Sequence, residues 1–181
     1  MTQSRFSTRD MAYIALMAVL LAVCSWISVP APVPFTLQTF GVFCALGLLG
    51  GRRGSTAVLL YILLGAVGLP VFSGFQGGLG KLLGPTGGYI LGFLLSALLY
   101  WLLERGVQKS PWRTAALLLA GLALCYAFGT AWFVAVYSRG GGHMRWMGPL
   151  SLCVFPFFVP DLVKLGLALL LIRTLKNRLQ L

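Results

Sequence analysis

From Met11 to Gly51 the chain carries no charged residue, and apolar positions run almost unbroken. One helix cannot use a stretch of that length, because about 20 residues suffice to cross a bilayer core. The segment VPAPVPFT (Val29–Thr36) divides it with three prolines, and proline disfavours helix at its own position and at the one before. The pattern therefore predicts a first helix over Met11–Ser28 and a second over Leu37–Gly50. A third covers Ser55–Leu69 and stops at Pro70. After a glycine-rich loop, a fourth covers Pro85–Leu103, with proline in its first turn. A fifth covers Thr114–Tyr137, and a sixth covers Ser151–Leu175 with Pro156 and Pro160 near its start. All nine prolines fall at or near these ends. The predicted fold class is all-α, an integral membrane bundle of six transmembrane helices forming one domain over residues 1–181.

Charge sets the orientation. With the N-terminus in the cytoplasm, the inner segments hold Arg5, Arg9, Arg52, Arg53, Arg105, Lys109, Arg113, Arg173, Lys176 and Arg178, ten in all, against Lys81, Arg139 and Arg145 outside. That is the positive-inside bias of a membrane protein. Five or seven helices would spoil it, because every later loop would change sides. Both termini are expected in the cytoplasm, and the protein is expected as a multi-pass membrane protein.

Composition agrees about the solvent. The chain is 59% hydrophobic and 9% charged, with a mean hydropathy of +0.91, whereas a soluble domain carries about 25% charged residues. Such a chain cannot cover a water-facing surface, which excludes a soluble enzyme, a disordered tail and a disulfide scaffold. A net charge of +11 would elsewhere suggest nucleic acid. Here the basic residues sit at the ends of apolar runs, so the lipid bilayer is the expected partner and nucleic acid is not. Cys24, Cys44, Cys125 and Cys153 are widely spaced without a C-x-x-C, so no metal and no cofactor is expected. The first apolar segment is not followed by a small-residue cleavage motif and reads as retained.

No catalytic residue is predicted. His143 stands alone in a polar outer loop, and neither G-x-S-x-G nor H-E-x-x-H occurs. The run GFQGGLGKLLG fails as a phosphate loop, with Phe75 and Leu82 where glycine and Ser or Thr belong. It fails as a dinucleotide fingerprint at Leu83. What remains is polarity inside apolar surroundings. Asp161 and Lys164, spaced i, i+3, share a helix face. Charges at mid-membrane cost about 2.5–3.5 kcal/mol each on insertion scales and suggest function. The plainer alternative is an ion pair, with Asp161 as a helix-start acceptor beside Pro160. Gln38, with Thr36 and Thr39, lies where a loop meets the second helix; helix capping is its alternative. Leu69–Tyr89, LPVFSGFQGGLGKLLGPTGGY, combines glycines with Phe72, Phe75 and Tyr89, the composition of an ordered binding loop. By the charge count all three features lie on the outer side, where they would form an apolar pocket with a few fixed polar groups. Gly84, Gly88, Gly92 and Ser96 recur every four residues, a smooth stripe for internal packing or for docking another membrane protein.

VPFTLQTF, GLPVFSGFQGGLGKLLGPTGGY and PFFVPDLVK resemble, in order and spacing, the BioY family, the biotin-binding S subunits of energy-coupling factor (ECF) transporters. One departure is Val159–Pro160 before the acidic residue, where the family often has Pro-Gly. The resemblance implies a six-helix bundle that captures biotin from outside with high affinity and has no ATPase activity of its own. It implies a transmembrane coupling subunit and paired cytoplasmic ATPases as partners. A small-residue patch on helix 1 would meet the coupling subunit, with Ala15, Ala18 and Ala22 as the matching residues. The substrate-binding set is then Asp161, Lys164, Gln38 and Thr36 for polar parts of the ligand, with Phe75, Gly77, Gly78, Thr86 and Tyr89 enclosing the rest. The competing reading is a stand-alone carrier of biotin or another small carboxylate, with Asp161 as a protonation site. An intramembrane enzyme lacks a nucleophile–base pair, and the Asp161–Lys164 pair argues against a mere scaffold.

Overall fold

The computed structural model describes residues 6–30, 34–104, 110–139 and 155–179. His143, Cys153, the first residues expected in the sixth helix, Arg5, Arg105, Lys109 and Arg145 lie outside the described residues, as do the side chains of Arg139 and Arg178.

Helix α1 (Thr8–Trp26) begins three residues before the apolar run does, because a capping box holds its start. The Ser7 hydroxyl accepts from the Asp10 N–H at 3.2 Å, and the Asp10 carboxylate accepts from the Ser7 N–H at 3.0 Å. The proline segment is more than a break. Strand β1 (Ser28–Val29) pairs antiparallel with β2 (Phe35–Thr36), Ser28 opposite Thr36 and Val29 opposite Phe35.

Helix α2 (Gln38–Ala66) contains both the second and the third predicted helices. At Gly50 the backbone takes φ 77° and ψ 174°, a left-handed conformation that glycine adopts without penalty. The chain reverses there. A Cβ on Gly54 would lie 2.9 Å from the Ala45 carbonyl oxygen, so the halves 38–49 and 51–66 run side by side. The turn is thus tighter than the expected one around Arg52 and Arg53, both of which are helical. The Glu104 carboxylate accepts from the Gly51 N–H, which the reversal releases from the helix ladder.

Three further helices complete the long elements, α4 (Gly87–Leu103), α5 (Pro111–Arg139) and α6 (Phe155–Leu179), after a short α3 (Leu79–Leu83). Pro85 precedes α4 in a turn instead of entering its first turn. Counting the halves of α2 separately, the described residues hold six long helical segments. Thr8–Trp26 and Pro111–Ser138 are long and apolar enough to cross a membrane; Gly87–Leu103 is apolar but shorter. Helix α2 is central and touches α1, α4 and α6, while α4 packs along α5. Tyr61, Tyr100 and Phe72 are the bulkiest fully buried side chains.

The glycine stripe of α4 faces inward. A Cβ on Gly88 would lie 2.3 Å from Cβ of Trp132, one on Gly92 would lie 2.9 Å from Sγ of Cys125, and the Ser96 hydroxyl donates to the Gly121 carbonyl. The stripe is the α4–α5 contact and offers no face to another protein. The alanines of α1 divide in the same way. Ala18 (2% exposed) and Ala22 (6% exposed) belong to the core, so of the expected docking patch Ala15 alone faces outward.

Candidate functional site

One cavity, about 610 Å³ with its open mouth included, lies where β2, the start of α2, the loop after it, α4, α5 and α6 meet. Its polar centre is the pair predicted on α6. Lys164 Nζ donates to Asp161 Oδ1 at 2.7 Å, and the two residues are 5% and 2% exposed. Other elements complete the cluster. Lys164 also donates to the Thr36 carbonyl at 2.6 Å and to Thr39 Oγ1 at 3.3 Å; Thr39 in turn donates to Asp161 Oδ1 at 2.8 Å. From α5, the Tyr126 hydroxyl donates to Asp161 Oδ2. Phe35 lies beneath the ammonium, 4.0 Å from Nζ to the ring centroid, and stacks on Phe157. Among the described residues, no buried side-chain nitrogen or oxygen lacks a partner.

The ion pair therefore does structural service by tying α2, α5 and α6 together, and it also lines a cavity. Asp161 does not cap the start of α6, because it stands in the seventh position of the helix, after an internal Pro160. Its hydrogen-bonding inventory is uneven. The three Lys164 protons are all engaged, whereas a carboxylate accepts about four bonds. Asp161 receives two at Oδ1 and one at Oδ2, so Oδ2 retains capacity for a donor on a ligand. Gln38 lines the cavity with its amide oriented, Nε2 donating to Tyr61 at 2.6 Å and Oε1 accepting from Thr36 at 3.2 Å.

Of the substrate-binding residues expected from sequence, Asp161, Lys164, Gln38, Thr36, Thr86 and Tyr89 line this cavity. Phe75, Gly77 and Gly78 do not. Phe75, at φ 56°, turns outward; it is 65% exposed and stacks on Trp26 with centroids 5.1 Å apart. The loop's inward aromatic is Phe72, fully buried against Tyr61. Gly77 and Gly78 are structural. A Cβ on Gly77 would lie 2.3 Å from the Leu69 carbonyl oxygen, and Gly78 adopts φ 90° while its N–H bonds the Gly65 carbonyl.

The lining also includes Thr39, singled out beside Gln38, and residues not chosen from sequence, among them Lys81, Phe93, Cys125, Tyr126 and Phe157. Tyr126 carried a signal, since a phenol deep in an apolar helix needs a partner for its hydroxyl. In the sequence Lys81 stands out only as an outer-loop charge. It is partly buried on α3, and burial pushes its ammonium below the ordinary lysine value. Among the described residues, no group of three or more His, Cys, Asp or Glu is placed to hold a metal.

The BioY family model matches residues 1–181. The biotin transporter BioY of Thermotoga maritima is 41% identical over 170 residues, covering 93% of this chain and 96% of that protein. The probable biotin transporter BioY of Pyrococcus horikoshii is 38% identical, covering 93% and 97% respectively. In three dimensions the chain resembles the crystal structure of the S-component for biotin from an ECF-type ABC transporter. The TM-score there is 0.83 at 26% identity, with 96% of this chain and 95% of that one covered. A family model matched from end to end, together with relatives this similar over nearly their whole length, decides the grouping, and the chain belongs to the BioY family.

Proposed function

We propose that this chain captures biotin at the cavity between α2, α4, α5 and α6 and passes it across the plasma membrane as the S subunit of an ECF-type transporter. The observation that carries the reading is the acceptor left open on Asp161 within a satisfied, buried cluster that faces a cavity. The ureido ring of biotin offers two N–H donors and one acceptor. An N–H of that ring would meet Asp161 Oδ2. The apolar ring and chain would lie against Tyr89, Ile90, Phe93 and Phe157. Family membership and the resemblance to the S-component for biotin support the same ligand.

The orientation that fits is six spans, both termini cytoplasmic, and the cavity mouth outside; the ten-to-three distribution of basic residues supports it. A coupling subunit and paired ATPases would supply the energy, because no phosphate-binding loop is present in the sequence. Docking to the coupling subunit would use the outward side of α1, of which Ala15 is part. In calorimetry, the purified chain in detergent should bind biotin with one saturable stoichiometry. A titration without heat, and without displacement of a labelled biotin, overturns the reading.

A further inference from the structure

The cavity has two lysines, and they stand in opposite electrostatic situations. Lys164 is neutralised by Asp161, and its three protons are taken by Asp161, Thr39 and the Thr36 carbonyl. Lys81, contributed by α3 on the loop side, has no acidic partner among the described residues. The reason lies in the whole sequence, which has three acids, Asp10, Glu104 and Asp161. Asp10 pairs with Arg53 at 2.9 Å, Glu104 accepts from the Gly51 N–H, and Asp161 holds Lys164. No acidic side chain among the described residues remains to answer Lys81. Burial of its ammonium without a compensating charge also lowers its proton affinity, so an anion brought alongside would restore what desolvation removes.

Resting on biotin as the ligand, we propose that Lys81 binds the ligand's carboxylate and is the residue that makes the site select an acid over its neutral amide or ester. Placing that carboxylate at Lys164 would set two anions beside one cation in a buried cluster, an arrangement the low dielectric penalises. At Lys81 it forms a one-to-one pair. Ser73 and Thr86 line the same cavity and carry hydroxyls. The ligand is thus held at both ends, its ureido ring at Asp161 and its acid at the loop, and the loop gains a direct electrostatic contact with the cargo. A lipid phosphate is the other anion available to a lysine at this level, but a residue lining the cavity is addressed by what enters the cavity.

The test compares biotin with biotin amide on the wild-type chain, Lys81→Gln and Lys81→Arg, all by calorimetry in detergent. The wild type should prefer the acid by about 10- to 100-fold in Kd, the range of a charge-assisted hydrogen bond. Lys81→Gln should lose that preference by weakening toward biotin far more than toward the amide, with an unchanged melting temperature as proof of folding. Lys81→Arg should keep it. A wild type that binds both ligands equally, or a Lys81→Gln variant that retains the preference, overturns the proposal. So does failure of both variants to bind either ligand, which would make Lys81 structural. If Lys81 answers lipid phosphate instead, Lys81→Gln changes binding of anionic lipid and leaves the acid preference intact. A wild type that binds neither biotin nor its amide instead overturns the biotin reading itself.

Discussion

Asp161 and Lys164 illustrate how a charge survives in an apolar chain. Each is nearly sealed from solvent and has three partners, Asp161 on α2, α5 and its own helix, Lys164 on β2, α2 and its own helix. A buried pair stripped of one member leaves an orphan charge, which costs about 3–5 kcal/mol. Asp161→Asn should therefore lower the melting temperature in detergent sharply, and Lys164→Met should do the same. The double variant should lose less than the sum of the two, because neither charge is then stranded. Strict additivity of the three melting shifts would refute the coupling. The pair was legible in the sequence precisely because such residues are expensive in lipid. The partners of Tyr126 and Thr39 are harder to read. A hydroxyl is cheap to bury and common in such helices, so their roles depend on which face of α5 or α2 meets α6, and no spacing in one chain reveals that.

At the scale of elements, glycine decides where helices can touch. Beyond the stripe on α4, the ring of Tyr89 rests on Gly129 of α5, where a Cβ would fall 2.3 Å from the ring. Tyr89 also donates to or accepts from Thr130 at 3.0 Å and lines the cavity. Gly88→Ala would press on Cβ of Trp132, which has no freedom to swing aside, and should cost about 1–3 kcal/mol of stability through overpacking. Gly129→Ala presses on a ring instead. It should displace Tyr89, and it should weaken biotin binding more than it lowers the melting temperature. Equal affinity for biotin in the Gly129→Ala variant would show that Tyr89 does not shape the site. Helix positions were readable from apolar runs and prolines, but their ends were not. The box of Ser7 and Asp10 lengthens α1, and the reversal at Gly50 shortens the second turn to one left-handed residue. The loop hid more. Its composition announced a folded segment, yet the choice between Phe72 and Phe75 for the interior follows from a positive φ at Phe75 and from the space left above Gly65, where a Cβ would strike the Phe72 ring.

For the whole molecule the question is where the work of transport enters. A site that holds its cargo by two charged contacts and an apolar sleeve releases it slowly, and tight capture from outside opposes delivery inside unless another process alters the site. Among the described residues, the acidic side chains stand in the cavity cluster and around Gly50, where Asp10, Arg53 and Glu104 join α1, α2 and the end of α4. Neither assembly resembles a nucleotide site. Proteoliposomes containing the chain alone should therefore bind biotin without accumulating it. Adding the coupling subunit and ATPases with ATP should produce accumulation, and cleavable tags at both termini should be accessible from the face that carries the ATPases. Accumulation by the chain alone under a proton gradient, abolished by Asp161→Asn, would instead restore the stand-alone carrier, with the carboxylate at the centre of the cluster serving as its proton acceptor.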